Sequence, residues 1–405
     1  MDKELELSIY ELLASMGEAI EIQKISGQEE IGHLISDGRR QVTAAIDGAL
    51  PDTLEMRVNS SKLSDDDFLR TAYWVVGEIL EPFQPQNFYD REFRALLTHV
   101  WTHTHQELLE DMIKRVEQLR DRSESNYRSF VEYFSRFPLW GTFDPAQGDY
   151  DTLKRRADVL KQHSYDFLWL YQRLEDYLSR RTLCAILKNW AWLDLDELVK
   201  VKSIFPDYWE PDIFPDNENE VLVDIGAFTG DSIAQYIRMY GDRYKRIYAY
   251  EISEDSCTKL NQNIRRYGWH DIVVEGKGAG RVQGEMFLTR NGSDPSANQI
   301  SKNGGTGTLV KIVPLDTDIT EPISFLKMDI EGAEQNALLG CEQTIRRDHP
   351  KLAICTYHGY EDIWKIPLMI DRMYPEYQFY LRHYGGNLIP TEFVLLCSSP
   401  PSATS

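Results

Sequence analysis

The stretch 220–232 has the clearest hydrophobic pattern in the chain, and it predicts a buried strand, a tight turn and a helix. Residues 221–223 form an unbroken apolar run, which is typical of a strand buried on both faces of a parallel sheet. Gly226 and Gly230 follow, and glycine permits a tight turn and a close approach of backbone to ligand. Apolar side chains then recur at helical spacing, at Ile233, Ala234, Ile237 and Tyr240.

Strands and helices alternate from residue 220 to 398. Short apolar runs predict strands at 245–250, 271–274, 285–288, 308–313, 324–329 and 351–356, with helices after several of them, including one over 333–347. The last two strands, 378–382 and 392–396, have no helix between them, so they must form an antiparallel hairpin. We therefore expect an α/β sheet with one reversed edge strand.

Residues 1–203 show the spacing of long helices and predict a helical N-terminal domain for substrate recognition or oligomerisation. The acidic, proline-containing segment 204–219 predicts a linker, and 399–405 predicts a disordered tail. Amphipathic helices within 3–48 suggest a homodimer contact. The N-terminal pattern predicts helices ending near Ile20, through 31–46 and 68–79, and over 89–122, 123–136, 150–178 and 180–203.

Composition and charge narrow the class of protein. The net charge of −21 disfavours nucleic acid and an anionic membrane surface as partners. The five cysteines show no metal-binding spacing and favour reduced thiols. We expect a cytoplasmic protein, because the chain shows no signal peptide and no run of membrane-spanning length.

Acids stand at the ends of the first two predicted strands of the sheet, and they predict a nucleoside site. Glu251 follows the second strand, where a carboxylate accepts hydrogen bonds from the two hydroxyls of a ribose. The loop after Asp224 lacks the glycine pattern that seats a pyrophosphate, which disfavours NAD. A ribose without phosphates points to S-adenosylmethionine.

Three further side chains are candidates for catalysis. Asp329 ends another buried strand and Glu331 follows it, so both are expected at the same edge of the sheet. Glu334 is expected to complement the helix dipole or to accept a backbone N–H. His358 follows the fifth parallel strand, and an imidazole is a natural general base at neutral pH. Mg²⁺ held by these groups is an alternative; we favour base catalysis without a metal.

Three blocks of this sequence resemble the FkbM family of S-adenosylmethionine-dependent methyltransferases. They are Asp-Ile-Gly-Ala-Phe-Thr-Gly-Asp at 224–231, Lys-Met-Asp-Ile-Glu-Gly-Ala-Glu at 327–334 and Pro-Lys-Leu-Ala-Ile-Cys-Thr-Tyr-His at 350–358. The resemblance covers about 205–398 and implies a class I, Rossmann-like methyltransferase domain with a seven-stranded sheet. It also implies O-methylation of a small-molecule or glycan acceptor, such as a sugar or a secondary metabolite.

The resemblance also implies which residues contact the cofactor. The glycine loop would hold the methionine end of S-adenosylmethionine, Glu251 the ribose, and Gly278-Ala279 would lie near the adenine. N-methylation of a peptide or small molecule, and a non-catalytic S-adenosylmethionine-binding scaffold, are the alternatives. The full set expected around the cofactor is Asp224, Gly226, Ala227, Phe228, Gly230, Asp231, Ser232, Glu251, Ile252, Gly278, Ala279 and Asp329, and the expected catalytic set is His358, Asp329 and Glu331.

Overall fold

The computed structural model describes residues 19–25, 32–36, 39–44, 53–59, 83–289, 299–301 and 308–400. The chain divides into two compact units. One comprises Met1–Arg173 and Leu183–Leu195, and the other comprises Leu174–Thr182 and Asp196–Ser405. The predicted helices before residue 19 and over 68–79, and the end of the predicted tail from 401, lie outside the described residues.

The first unit contains a four-stranded antiparallel sheet where the sequence predicted helices. Its strands are arranged in the order β1-β4-β3-β2. The expectation of helices ending near Ile20 and running through 31–46 is therefore wrong, and the homodimer contact through these helices stays a prediction without structural support. The strands are β1 (Ala19–Ile25), β2 (Gly32–Ser36), β3 (Arg39–Ala44) and β4 (Thr53–Asn59).

The reason for this error lies in the period of the pattern. Over 53–59 the sequence alternates polar and apolar residues, with Leu54, Met56 and Val58 apolar, and such a period of two is typical of a strand. Between β2 and β3 stands Asp37-Gly38, a dipeptide that favours a two-residue β-hairpin. The Asp-Gly signal outweighs the helical spacing over 31–46. The alternation over 53–59 lies between the predicted helices, and it was not recognised as a strand.

From residue 88 the predicted helical character is confirmed, in shorter helices than expected. One break falls at Thr104, whose side chain accepts the N–H of Glu107 while the Glu107 carboxylate accepts the N–H of Thr104. This capping box starts a new helix inside the predicted span 89–122. The helices are α1 (Phe88–Thr102), α2 (His105–Arg122), α3 (Glu124–Arg136), α4 (Asp151–Gln162), α5 (Ser164–Arg173), α6 (Tyr177–Trp192) and α7 (Asp196–Val201).

The helical part of the first unit packs around aromatic side chains. Phe93 stacks on Tyr171 with ring centroids 4.0 Å apart, and the Tyr171 hydroxyl donates to buried Asp90. Trp101 and Trp190 are also buried, so large aromatic rings make up much of this core. Within the described part of the chain, no helix has both the length and the apolar character needed to cross a membrane.

The second unit is built on a seven-stranded sheet, as the resemblance implied. The strands that follow β4 in the chain are β5 (Val221–Ile225), β6 (Arg246–Tyr250), β7 (Ile272–Glu275), β8 (Gly278–Ala279), β9 (Gly284–Thr289), β10 (Gln299–Ser301), β11 (Thr308–Val313), β12 (Phe325–Met328), β13 (Lys351–Cys355), β14 (Gln378–His383) and β15 (Phe393–Ser398). The helices are α8 (Asp231–Tyr240), α9 (Glu254–Tyr267), α10 (Leu315–Asp318), α11 (Glu334–Leu339), α12 (Glu342–Asp348) and α13 (Asp362–Met373).

The order of the main sheet is β14-β15-β13-β12-β5-β6-β7. β13, β12, β5, β6 and β7 pair in parallel, and β15 pairs antiparallel with both β13 and β14. The predicted hairpin is confirmed, but the reversed strand does not lie at the edge. β15 inserts between β13 and β14, because its nearly continuous apolar sequence is buried along its length.

Two further features differ from the sequence-based expectation. The strands at 284–289 and 308–313 leave the main sheet and form a smaller one, in the order β10-β9-β11-β8. The helix predicted over 333–347 is broken at Gly340, where a Cβ atom would lie 2.1 Å from the carbonyl oxygen of Gly280. This close backbone approach requires glycine and ends α11.

The segment 204–219 is packed rather than a free linker. Trp209 and Phe214 are fully buried, and both rings lie edge-on to Phe325 of β12. Burial of two large aromatic rings contributes hydrophobic free energy that holds the segment against the sheet, and a solvated linker lacks this contribution. The prolines that indicated a linker instead shape an ordered connection into β5.

Candidate functional site

The carboxyl ends of four parallel strands bring the candidate residues together. In the register of the sheet, Ile225 at the end of β5 lies beside Tyr250 of β6 and Met328 of β12. The residues that follow these strand ends are Gly226, Glu251 and Asp329. We call this edge of the sheet, at the ends of β5, β6, β12 and β13, the rim.

Gly226 makes the first turn of the rim possible. Its φ of +83° lies in the region that favours glycine, and a Cβ at this position would lie 1.9 Å from the carbonyl oxygen of Asp329. Gly230 has a φ of +87°, and a Cβ there would lie 2.6 Å from Leu260 Cδ1. The predicted glycine loop is therefore fixed by close packing on both sides, and it lies against the strand end that carries Asp329.

Asp224 is fully buried beneath this loop. Its Oδ2 accepts a hydrogen bond from Ser232 Oγ at 2.5 Å, and its Oδ1 lies 2.9 Å from Lys327 Nζ. The ammonium of Lys327 also donates to the carbonyl of Gly226 at 2.8 Å. Burial alone would lower the pKa of Lys327, but the Asp224 and Asp329 carboxylates outweigh it and raise that pKa above its ordinary value. Asp224 thus holds the Lys327 ammonium in place, and that ammonium stabilises the glycine loop. The predicted contact of Asp224 with a cofactor stays a prediction.

Glu251 reaches back to the glycine loop. Its Oε2 accepts the N–H of Phe228 at 2.9 Å, and its Oε1 accepts the N–H of Ser253 at 2.7 Å. Burial raises the pKa of Glu251 above its ordinary value. Each carboxylate oxygen has two lone pairs, so acceptor capacity remains on both oxygens for a diol.

The other residues expected around a cofactor lie near the rim in different settings. Asp231 is the first residue of α8, and Ala227 is buried. Ile252 packs against the apolar cluster of the smaller sheet, formed by Leu288, Val310 and Ile312. Gly278 and Ala279 form β8 beside β11, and a Cβ on Gly278 would lie 2.8 Å from Ile312 Cδ1. Their contacts with a cofactor stay predictions.

His358 lies at the centre of a group of carboxylates. Its Nδ1 is 2.9 Å from Glu334 Oε1, and its Nε2 is 3.5 Å from Asp329 Oδ1 and 3.7 Å from Glu331 Oε2. The histidine and Glu334 are each only 1% exposed, whereas Asp329 and Glu331 are about one-fifth exposed. We call Asp329, Glu331, Glu334 and His358 the acid–histidine cluster.

The pKa values of His358 and Glu331 are shifted in the acid–histidine cluster. Burial alone would lower the pKa of His358, but the carboxylates of Glu334, Asp329 and Glu331 outweigh it and raise that pKa to about 10. Burial raises the pKa of Glu331 to about 7. An imidazole with a pKa of about 10 carries its proton at pH 7, which disfavours His358 as a general base in this state; its predicted role as a base stays a prediction.

One residue of the site, Tyr208, was not identified from the sequence, and the role of Glu334 was identified only in part. Tyr208, in the segment before β5, donates its hydroxyl to Asp329 Oδ2 at 2.7 Å, and its ring lies under the Lys327 ammonium. Glu334 does accept backbone N–H groups, from Ile330 and Gly332, as the sequence suggested, but it also faces His358. The contact of Tyr208 spans 121 positions, and no local pattern could have indicated it.

Comparisons with known proteins relate the second unit to methyltransferases of the FkbM type. Residues 224–385 match the sequence profile described as the methyltransferase FkbM domain. The structure is similar to that of the methyltransferase FkbM from Methylobacillus flagellatus KT, with 28% identity and a TM-score of 0.52. That match covers 62% of this chain and 63% of the other, so the chain spans less than two thirds of that protein.

A second solved structure is similar only in part. It is an rRNA methylase from Streptococcus thermophilus, with 16% identity, a TM-score of 0.30, and coverage of 45% of this chain and 88% of the other. A similarity of this size supports no conclusion about activity. Among curated proteins no significant match is found.

Proposed function

We propose that residues 224–385 bind S-adenosylmethionine and transfer its methyl group to a hydroxyl of a sugar, glycan or secondary metabolite. One observation carries the proposal. The glycine loop and the acid–histidine cluster are in direct contact, since a Cβ on Gly226 would collide with the carbonyl of Asp329. A group held by the loop and a group held by the cluster would therefore be neighbours on one rim.

The residues of the rim fit an adenosyl cofactor. Each oxygen of the Glu251 carboxylate accepts one backbone N–H, from Phe228 or Ser253. Each oxygen therefore retains a lone pair that can accept a hydrogen bond from a ribose hydroxyl. When bound, S-adenosylmethionine would supply a methyl group on a sulfonium: the S–CH₃ bond would break to leave the thioether S-adenosylhomocysteine, an O–CH₃ bond would form, and the hydroxyl proton of the acceptor would pass to solvent water.

The chain's own contribution would be to place the acceptor. The side chains of Asp329 and Glu331 are about one-fifth exposed, and carboxylate oxygens accept hydrogen bonds from hydroxyl groups. Asp329 is itself held by the Tyr208 hydroxyl, so it would hold the acceptor in one orientation. Alignment of two reactants in this way supplies much of the rate of a transfer reaction.

The test is methyl transfer from labelled cofactor. We would incubate the full chain with S-adenosylmethionine carrying a labelled methyl group and with fractionated small molecules and glycans of the source cell. The proposal expects label in a hydroxyl-rich fraction, as an alkali-stable methyl ether identified by mass spectrometry. Label found only on nitrogen, or none released or transferred above the level of a heat-denatured control, would overturn it.

A further inference from the structure

We infer that Asp329, Glu331 and His358 form a binding site for one divalent first-row transition-metal cation. Each of these side chains offers one ligand atom, and the three atoms lie within 4.8 Å of one another. Two come from the loop after β12 and one from the loop after β13, so the main sheet fixes their separation. Within the described part of the chain, no other group of three such side chains is as close.

The distances suit a shared ion better than direct hydrogen bonds. His358 Nε2 lies 3.5 Å from Asp329 Oδ1 and 3.7 Å from Glu331 Oε2. Atoms this far apart, each roughly 2.1 Å from a common ion, subtend an angle of roughly 110–125° at that ion, which tetrahedral and five-coordinate sites accept. As hydrogen bonds, the same separations are long and weak.

His358 is oriented as a metal ligand is. Its Nδ1 faces Glu334 Oε1 at 2.9 Å, and this leaves Nε2 directed towards Asp329 and Glu331. A carboxylate behind the far nitrogen of a ligating histidine fixes the ring and its tautomer in most protein metal sites. Glu334 is held in turn by the N–H groups of Ile330 and Gly332.

Three buried atoms at this point have no hydrogen bond among the described residues: His358 Nδ1, His358 Nε2 and Asp329 Oδ1. His358 Nδ1 still has the Glu334 carboxylate as an ionic neighbour at 2.9 Å, whereas His358 Nε2 and Asp329 Oδ1 face each other at 3.5 Å. Buried polar atoms in folded proteins nearly always have a partner, and the exceptions call for a bound group. A cation between the two side chains would satisfy both atoms at once.

The local charge balance also favours a cation. The carboxylates of Asp207 and Glu392 repel that of Asp329, in addition to the carboxylates of the acid–histidine cluster itself. Lys327 is a nearby cation, but it already pairs with buried Asp224. A protonated His358 neutralises only part of the negative charge of these carboxylates, and a divalent cation in place of its Nε2 proton would lower the remaining electrostatic cost.

The mixture of donor atoms decides the type of metal. Two carboxylate oxygens alone would suit Mg²⁺, but an imidazole nitrogen favours a first-row transition metal or zinc. With three protein ligands, the ion keeps open positions for water or for an acceptor oxygen. We take Mn²⁺ as the probe, because it accepts both oxygen and imidazole ligands and has a paramagnetic spectrum.

The role of this ion rests on the proposed function. The site lies beside the glycine loop, so an acceptor hydroxyl bound to the ion would lie next to the methyl donor. A metal ion lowers the pKa of a bound hydroxyl and so favours loss of its proton during transfer. The acceptor class that fits is a hydroxyl with a second oxygen donor on a neighbouring carbon, as in a sugar diol.

The experiment is a titration of the untagged full chain with Mn²⁺ after treatment with a chelator. We expect one tightly bound Mn²⁺ per chain by electron paramagnetic resonance, with ¹⁴N coupling from one histidine in electron spin echo spectra. Glu331→Gln should weaken binding roughly tenfold or more. Its matched control, Glu254→Gln, changes an exposed acid of α9 and should bind as the wild type does.

Two histidine variants complete the metal-binding experiment, one inside the site and one outside it. His358→Gln should abolish the ¹⁴N coupling, whereas His270→Gln, at a half-exposed histidine outside the site, should retain it. Because His358 is buried, the result for His358→Gln counts only if that variant unfolds cooperatively, as a folded protein does. Glu331 is partly exposed, so Glu331→Gln tests the metal site even if the histidine variant does not fold.

The possible outcomes separate the two proposals. Absence of stoichiometric binding by the folded wild type, or unchanged binding by Glu331→Gln, would overturn the metal site. The same samples are titrated with S-adenosylmethionine. A protein that binds the cofactor but no Mn²⁺ contradicts this inference alone, and one that binds Mn²⁺ but no cofactor contradicts the proposed function alone.

Discussion

Glu334 Oε1 lies 2.9 Å from His358 Nδ1, and both side chains are almost completely buried. The contact joins the first turn of α11 to the loop after β13, and it fixes the imidazole against the carboxylates of the rim. Glu334 also accepts the N–H groups of Ile330 and Gly332, so a single side chain holds the loop that carries Glu331.

We predict from this contact that Glu334→Ala is strongly destabilising. The change leaves a buried histidine and two backbone N–H groups without their acceptor, and removing one partner of a buried ion pair costs about 3–5 kcal/mol. Urea denaturation measures the loss of free energy of unfolding. The control is Glu331→Ala, at a partly exposed side chain, which should change the stability by about 1 kcal/mol or less. Equal effects of the two changes would contradict the structural role of Glu334.

Gly226 provides a second prediction, which concerns the glycine loop. Gly226→Ala should cost more than about 4 kcal/mol, because its Cβ would overlap the carbonyl of Asp329 at 1.9 Å. Gly241 has a nearly identical φ of +84° but nothing within 4 Å of an added Cβ, so Gly241→Ala should cost only the backbone strain, about 1–3 kcal/mol. Thermal unfolding of the two variants separates the collision from the backbone strain. Similar melting temperatures would show that the loop does not pack against Asp329.

A third prediction concerns the buried pair of Asp224 and Lys327. Lys327→Met leaves the Asp224 charge buried without its partner and should lower the free energy of unfolding by about 3–5 kcal/mol. The double variant Asp224→Asn/Lys327→Met removes both charges and should recover most of that loss. Chemical denaturation of the wild type, the single variants and the double variant forms a complete cycle. Additive losses would show that the two charges are not coupled.

The strand pattern of the second unit could be predicted from sequence because these strands are buried. Apolar runs at 221–223, 324–328 and 351–355 have few alternatives to a parallel sheet, and the acids placed after them must then meet on one rim. The position of β15 between β13 and β14 was not predicted, since two antiparallel strands can join a sheet in either order without any change in local pattern.

The contacts inside the site were predicted only in part. Asp329, Glu331 and His358 were correctly expected at one edge of the sheet, but the distances that decide their chemistry depend on packing. The role of His358 as an unaided base was inferred from the ordinary pKa of imidazole, and three nearby carboxylates change that pKa. Tyr208 was overlooked because it lies in a segment whose prolines suggested a linker. Only the tertiary structure brings it to Asp329.

A fourth prediction concerns the pH dependence of stability. Burial, with the nearby Lys202 ammonium, lowers the pKa of His383 to about 4. Between pH 6.5 and 4 the unfolded chain therefore binds a proton that the folded chain does not, and stability falls as the pH falls through this range. From pH 7 to pH 5, His383 should account for a loss of about 2 kcal/mol.

The comparison with His383→Gln isolates this effect, because all other groups titrate in both proteins. Urea denaturation at pH 7 and pH 5 gives the change in free energy of unfolding for each. The wild type should lose more stability than the variant over this interval. An equal loss in both would contradict the depressed pKa of His383.

Binding of S-adenosylmethionine to the rim tests the central claim most directly. We predict that calorimetric titration of the wild type shows one binding site per chain. Glu251→Gln should weaken binding about tenfold or more, because a hydrogen bond to a charged group contributes about 1.5–3 kcal/mol. The exposed control Glu254→Gln should bind like the wild type. Two results would contradict the account: the folded wild type shows no heat of binding, or Glu251→Gln binds S-adenosylmethionine as tightly as the wild type does.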